Sequence, residues 1–271
     1  MLFTPHVSTE RKDFQTHLIY ADLLAQLSQD LSVSCSLTPL LKRAKLDDLR
    51  TKQKLIDLTR KSISDELEIV KFDKEYSTSS VLWLPIKTYY LIYHQLCLID
   101  YILTGELSSM TIKHGKCTDT FSKRLTAKTF QFSQPFFNAV CSRKILDFKT
   151  VSGEHLRLIS SEKRTYGLIM KKVAKEKINN HKITWGILHE RSAENKAAVE
   201  KYKNTMTVSI FDFFYLMRLR MNYRNSDFID DIPSEDTKKY FLRYYTSADN
   251  FYKCLDALMK ELIQASCLNV T

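Results

Sequence analysis

The sequence predicts an all-α protein, and three observations carry that reading. Glycine and proline occur only five times each in 271 residues, against usual shares of roughly 7% and 5%, so few residues suited to tight turns between short strands are present. Apolar residues recur at spacings of three and four along most of the chain, which is the period of an amphipathic helix. With 44% hydrophobic and 27% charged residues, the chain has enough apolar material for one large core or two modest ones without disulfides or a metal.

The first helix is expected from about Lys12 to Leu31, where Phe14, Leu18, Ala21, Leu24, Leu27 and Leu31 form the stripe. Ser32–Pro39 interrupts it. A second helix follows from about Pro39 to Phe72, with Leu46, Leu49, Ile56, Ile63, Leu67 and Val70 inward and mixed charges outward. The polar run Tyr76–Ser80 reads as punctuation that separates an N-terminal helical extension, residues 1–80, from the rest. Pro85 suits the first turn of the next helix, which ends at Thr104-Gly105, where glycine takes the left-handed conformation that closes helices.

Further helices are expected at about Thr111–Thr126, Gln134–Arg143 and Glu154–Ile178, then a turn at Asn179–Lys182 and a helix around Ser192–Lys203. Ile183–Glu190 fits either a short strand or a helical turn. Thr207 or Ser209 is expected to cap the apolar helix containing Phe211–Tyr223. Ser234 then opens a last helix, to about Ala265, that buries Phe241, Tyr244, Tyr245, Phe251, Leu255, Leu258 and Leu262.

The formal charge of +10 and the pI of about 9.2 point to an acidic partner, with nucleic acid the leading class. The excess is uneven: twelve Lys or Arg face five Glu from Arg157 to Lys203, whereas Lys42–Glu75 carries ten bases against eight acids. Six cysteines without a C-x-x-C pair behave as small hydrophobes and suit a reducing compartment. The N-terminal residues lack a charged segment followed by an apolar run, so a cytoplasmic rather than secreted protein is expected.

Val81–Leu103 is long enough to cross a bilayer but contains Pro85, Lys87, His94, Gln95 and Asp100. A Lys or Asp at the centre of a span costs about 2.5–3.5 kcal/mol, so a buried helix is predicted here and no membrane partner. The seven His are dispersed, with no H-E-x-x-H or Cys/His ligand spacing, so neither a metal nor a cofactor is expected. No Gly-rich phosphate loop is present.

Two clusters carry candidate chemistry. In FDFFYLMRLRMNYRNSDFID, Phe211–Asp230, Arg218 and Asn222 share one helix face, and Arg220, Tyr223 and Arg224 another, flanking apolar Phe214, Met217 and Met221. A guanidinium cannot shed its charge on burial. The arginines therefore either meet phosphate in a cleft or dimer seam, or pair with Asp227, Asp230 or Asp249. In TYYLIYHQ, Thr88–Gln95, Tyr90 and His94 are one turn apart, and Ile112–Phe121 places His114 at a helix start beside Lys116. Interior aromatics around a hydrogen-bonded core histidine would account for Tyr90 and His94 equally well.

The order of these pieces resembles a HEPN domain (higher eukaryotes and prokaryotes nucleotide-binding). That family carries Y-Y-x-x-[FY]-H on its first long helix and a His seven before Phe after a short turn; Tyr89, Tyr90, Tyr93, His94, His114 and Phe121 fit. The later helix carries a functional arginine, and RLRMNYRNSDFID is similar to the subfamily with A-D-Y or A-N-Y after it. The likeness spans about Leu82–Leu262, interrupted by the basic section.

The resemblance implies an antiparallel HEPN-like helical bundle over residues 81–271 with a basic helical insertion at about 157–205. Such bundles often form homodimers with facing arginine motifs, in toxin–antitoxin, phage-defence or RNA-processing systems. Ribonuclease members place His four to six residues after the Arg, whereas Tyr223 is fifth from Arg218 and no His follows. A tyrosine with a free pKa near ~10 is a poor base at neutral pH.

The implied function is therefore binding of RNA or a nucleotide-bearing partner by a catalytically degenerate member, through Arg218, Arg220, Asn222, Tyr223, Arg224, His114, Lys116, Tyr90 and His94. One alternative is an active metal-independent endoribonuclease using Arg218, His114 or Tyr223. Another is a helical subunit of a defence complex that docks a protein partner encoded nearby.

Overall fold

The computed structural model describes residues 20–39, 46–133, 136, 140–141, 160–187, 192–223 and 234–268. The fold is all-α. Residues 20–27 are helical (α1), followed by β1 (Val33–Cys35), α2 (Leu46–Phe72), α3 (Lys74–Thr104), a 3-10 turn (Leu107–Thr111), α4 (His114–Thr126), β2 (Phe130–Phe132) and β3 (Val140–Cys141). The order ends with α5 (Ser160–Thr184), α6 (Ala193–Thr205), β4 (Thr207–Val208), α7 (Ile210–Tyr223) and α8 (Ser234–Leu268). Among the described residues no helix is long and apolar enough to cross a membrane.

The chain forms two compact units, one drawn from residues 1–31, 39–110 and 217–271, the other from 32–38 and 111–216. This division does not run at residue 80, since α2 and α3 belong to one unit. The expected break at Tyr76–Ser80 is helical instead. Asp73 sits in an extended conformation (φ −112°, ψ 110°) and its Oδ1 accepts the Tyr76 amide at 2.9 Å. That cap starts α3 ahead of the polar run, which is helical throughout. Pro85 accordingly lies inside the helix rather than at its first turn.

In the first unit α3 packs along α8 and against α2. Ile92, Leu96 and Ile99 of α3, Ile56, Ile63 and Val70 of α2, and Phe241, Phe251 and Leu255 of α8 are almost fully buried. Each such side chain contributes about 1.5–3 kcal/mol of gross transfer free energy. Several polar groups inside are paired: Gln95 Nε2 donates to the Tyr252 carbonyl at 3.0 Å, Ser109 Oγ donates to Asp100 Oδ2 at 2.8 Å, and Lys87 meets Glu66 at 2.8 Å. Burial, with the Glu261 charge, pushes the Cys254 thiol up to about 12, so it acts as packing material. α3 closes at Gly105, in the left-handed region (φ 69°) with its amide on the Tyr101 carbonyl at 2.8 Å, as the sequence led us to expect.

In the second unit the Ser32–Pro39 interruption contains a strand. β1 pairs antiparallel with β2, Ser34 opposite Gln131. The two phenylalanines of β2 point inward and Gln131 does not, the period-two pattern of a half-buried strand. The helix expected at Gln134–Arg143 is not formed where the structure describes it. Val140–Cys141 is a strand paired with Thr207–Val208; three of its neighbours among 134–143 apart from Phe136 lie outside the described residues at 137–139, as do 134–135 and 142–143. A β-branched residue beside a partner strand outweighs weak helical spacing.

The turn expected at Asn179–Lys182 is part of α5, which runs on to Thr184. The aromatic contacts of His181, described below, hold this turn helical against its local propensity. Gly186 (φ 68°) ends the helix: its amide bonds the Ile183 carbonyl and the Ile187 amide reaches back to that of Lys182, a Schellman closure. Leu188–Glu190, the rest of the ambiguous segment, lies outside the described residues. α6 begins with Ser192 Oγ accepting the Asn195 amide at 3.1 Å. Ser209, one of the two expected caps, precedes α7 and donates its own amide to Asp212 Oδ2 at 2.8 Å.

Candidate functional site

Helix α7 is apolar because Phe211, Phe213, Phe214, Leu216 and Met217 are buried. Arg218 follows them and is half-buried. Its Nη2 donates to the Tyr90 hydroxyl at 3.0 Å, and its guanidinium carbon stands 5.1 Å and 5.5 Å from the ring centres of Tyr90 and Tyr89. Such cation–π contacts hold an arginine without neutralising it. Among the described residues no carboxylate pairs with Arg218, and its buried Nε has no hydrogen-bond partner there. Asp249, one of the expected partners, is held instead by Lys253 at 2.7 Å and Arg60 at 3.7 Å. Asp227 and Asp230 lie outside the described residues.

The tyrosines form a row along α3. Tyr89 and Tyr93 stack at 5.9 Å, one turn apart, and the His94 ring lies 5.9 Å from Tyr90 and 5.2 Å from Tyr93. Tyr89 and Tyr93 are buried, while Tyr90 and His94 retain partial exposure. From α2, Lys52 places its Nζ 5.9 Å from the Tyr93 ring centre and donates to the Met110 carbonyl at 3.2 Å. Two cations thus border one aromatic row that also carries an imidazole. Lys52 was not legible as part of this group, because it lies on a helix whose outer charges look alike in sequence.

Other expected members are placed differently. His114 is the first residue of α4, half-buried, with its ring 6.4 Å from that of Tyr215, and Lys116 is exposed. Both belong to the second unit, whereas Tyr90, His94 and Arg218 belong to the first. Arg220, Asn222 and Tyr223 fall in the last turns of α7 with side chains outside the described residues, and Arg224 lies outside them altogether. Among the described residues no three His, Cys, Asp or Glu side chains converge as a metal site requires.

No family model, curated protein or solved structure matches this chain.

A second constellation, in the second unit, was not anticipated. A pocket of about 200 Å³ is lined by Thr118, Asp119, Lys177, His181, Tyr202 and Asp212, among others. Lys177 Nζ bonds Asp119 Oδ1 at 2.7 Å, Asp212 Oδ1 at 2.8 Å and the Thr207 carbonyl at 3.1 Å. Its three protons are thereby used. Burial opposes the charge, but Asp212 and Asp119 outweigh it and hold the ammonium above its usual range. Asp212 Oδ2 is occupied as well, by the Ser209 amide at 2.8 Å and the Ser122 hydroxyl at 3.3 Å. The network is closed on itself and reads as architecture. Two signals for it stood in the sequence: a lysine on the buried stripe Met170, Val173, Ala174, Ile178, and an aspartate between Phe211 and Phe213.

His181 stands beside this network, stacked on Tyr202 at 3.5 Å with Trp185 3.8 Å away. Burial is the main cause that lowers its pKa from 6.5, and Lys177 adds to it against the opposing pull of Asp119. A His whose folded pKa is depressed leaves the unfolded chain binding more protons just below 6.5, so stability falls as the pH drops through that window. The expected result is a lower urea midpoint near pH 5.5 than at neutrality, read by Trp185 fluorescence in a Trp83→Phe background. His181→Gln should flatten that difference. An equal slope in both proteins would remove His181 as its source.

Proposed function

We propose that this protein binds RNA or a nucleotide-bearing partner through phosphate contacts centred on Arg218, without cleaving it. The observation that carries this reading is the state of Arg218: a half-buried guanidinium oriented by Tyr90 and Tyr89, with no carboxylate among the described residues. An arginine held by a hydroxyl and two ring faces, with no carboxylate on it among the described residues, is suited to donate to a phosphate. The formal charge of +10 supports an anionic partner. Lys52 would extend the site on one side, and Arg220, Asn222, Tyr223 and Arg224 follow Arg218 on the chain. In the second unit, taken by itself, Lys175, Lys196 and Lys201 are exposed and contribute to the positive charge of the chain, whereas Lys177 is consumed by its ion pairs.

On this reading the chain is a degenerate HEPN-like component of a prokaryotic defence or toxin–antitoxin system, acting in the cytoplasm beside a partner encoded nearby. Fluorescence anisotropy with a labelled single-stranded RNA tests the central claim. Binding is expected to weaken steeply with salt, and Arg218→Ala to cost roughly tenfold in affinity and to lower the salt slope by about one. Affinity indifferent to both salt and Arg218→Ala would remove the reading.

One observation favours cleavage as a second reading, since His94 places an imidazole against Tyr90, the hydroxyl that Arg218 engages. An endoribonuclease of that kind would degrade RNA in EDTA and lose the activity in both His94→Ala and Arg218→Ala. RNA left intact by wild-type protein in EDTA discards it.

A further inference from the structure

Eight large hydrophobic side chains are exposed among the described residues, and four of them are on α2: Leu55 (42%), Leu58 (57%), Ile69 (45%) and Phe72 (87%). Helical periodicity puts them within one stripe, away from the buried Ile56, Ile63 and Val70. Their spacings along the helix, 3, 11 and 3 residues, read the same in both directions. The polar residues of the stripe follow the same symmetry. Ser62 and Asp65, both exposed, lie at its middle, while exposed Lys54 and Asp73 bracket its two ends.

We propose that α2 pairs antiparallel with α2 of a second copy of this chain, about a two-fold axis level with Ile63 and Ser64. A helix face that is its own reverse complement is what an isologous contact requires. In that register Leu55 meets the partner's Phe72 and Leu58 meets the partner's Ile69, each pair occurring twice. Ser62 faces the partner's Asp65, and Lys54 faces the partner's Asp73 with opposite charge. Trp83, 56% exposed, lies one turn before Lys87 on α3, and Lys87 reaches Glu66 of α2 at 2.8 Å. Its indole therefore flanks the Ile69–Phe72 end and widens the apolar contact at both ends of the pair.

A second copy suits this stripe better than a lipid surface does. Exposed Asp57, Asp65 and Glu68 are offset on the same helix by exposed Lys54, Lys61 and Lys71, with Lys61 on Asp65 at 2.7 Å and Lys71 on Glu68 at 2.6 Å, so these exposed charges give no positive excess to draw α2 to an anionic bilayer. The apolar side chains offer about 500 Å² per subunit, at the low end of specific interfaces, which gives a reversible dimer rather than an obligate one.

The test is sedimentation velocity of the full chain over a wide concentration range, with Leu58→Lys and Phe72→Lys as variants. Both positions are exposed, so helicity should be unchanged. Wild type is expected to dimerise reversibly in the micromolar range, and each variant to raise the dissociation constant roughly tenfold or more. Orientation is read by oxidative cross-linking: a mixture of Leu58→Cys and Ile69→Cys chains should give a covalent dimer, and neither alone should, with wild type controlling for native cysteines. A monomer at every concentration overturns the proposal, and so does efficient self-cross-linking of Leu58→Cys, which signals a parallel pair. Arg218→Ala is expected to leave the dimer intact, so failure of the RNA reading and failure of this one are separate results.

Discussion

Lys177→Ala is expected to destabilise the second unit by about 3–5 kcal/mol, because it strands a buried carboxylate. Asp212 has a side chain only 2% exposed and lies 2.8 Å from the ammonium, itself 15% exposed. Removing the cation leaves Asp212 with the Ser209 amide and two hydroxyls, which solvate part of the charge but do not balance it. The Thr207 carbonyl loses a donor as well. Asp119 is the internal comparison: its side chain is 53% exposed, so Asp119→Asn should cost below about 1 kcal/mol, the range of solvent-screened pairs. Hydrogen exchange over α4, α5 and α7 measures both. A Lys177→Ala loss no larger than that of Asp119→Asn would show that water reaches Asp212 and that the network is a surface feature.

Phe211→Ala should cost about 3–5 kcal/mol through the cavity it leaves. Phe211 is 1% exposed, with its ring 5.8 Å from Phe121 and 5.7 Å from Phe132, and Phe121 in turn sits 5.3 Å from Phe130. This cluster joins α4, the β1–β2 ribbon and α7, so no single neighbour is free to collapse into the gap. Phe211→Leu keeps most of the volume and should cost about 1 kcal/mol. Urea unfolding of the three proteins checks the order, and equal losses for Ala and Leu would point to ring–ring geometry rather than volume as the source.

How much of this was legible varies with the physics involved. The helices of α2, α3 and α8 were readable because apolar periodicity and caps act within a few residues, and Gly105 closes α3 where the pattern stops. The ribbons were not. Val140–Cys141 and Val33–Cys35 become strands through pairing with residues far along the chain, which local spacing does not encode. Tyr76–Ser80 misled for a related reason: one cap at Asp73 decides the start of a helix, and composition afterwards does not undo it. At the site, Arg218 stood out as a charge in an apolar run, and its partner Tyr90 belonged to the other cluster singled out. Its engagement by a hydroxyl and two ring faces was not foreseen, since arginine is ordinarily sought beside carboxylates. Lys177 and Asp212 escaped because each looks like an isolated polar residue until the helices carrying them are packed.

The joint at Asp73 leaves the α2–α3 hairpin without slack. A single non-helical residue separates helices of 27 and 31 residues, so the chain has no loop in which a change of length could be absorbed. One inserted residue propagated into α3 would turn it by about 100° against α2. Ile92, Ile99 and the Tyr89–Tyr93 row would leave the face they now bury, and Lys87 would part from Glu66. Homologous chains should therefore tolerate substitutions at this point far more readily than insertions or deletions, in contrast to the usual permissiveness of a helix–helix connection.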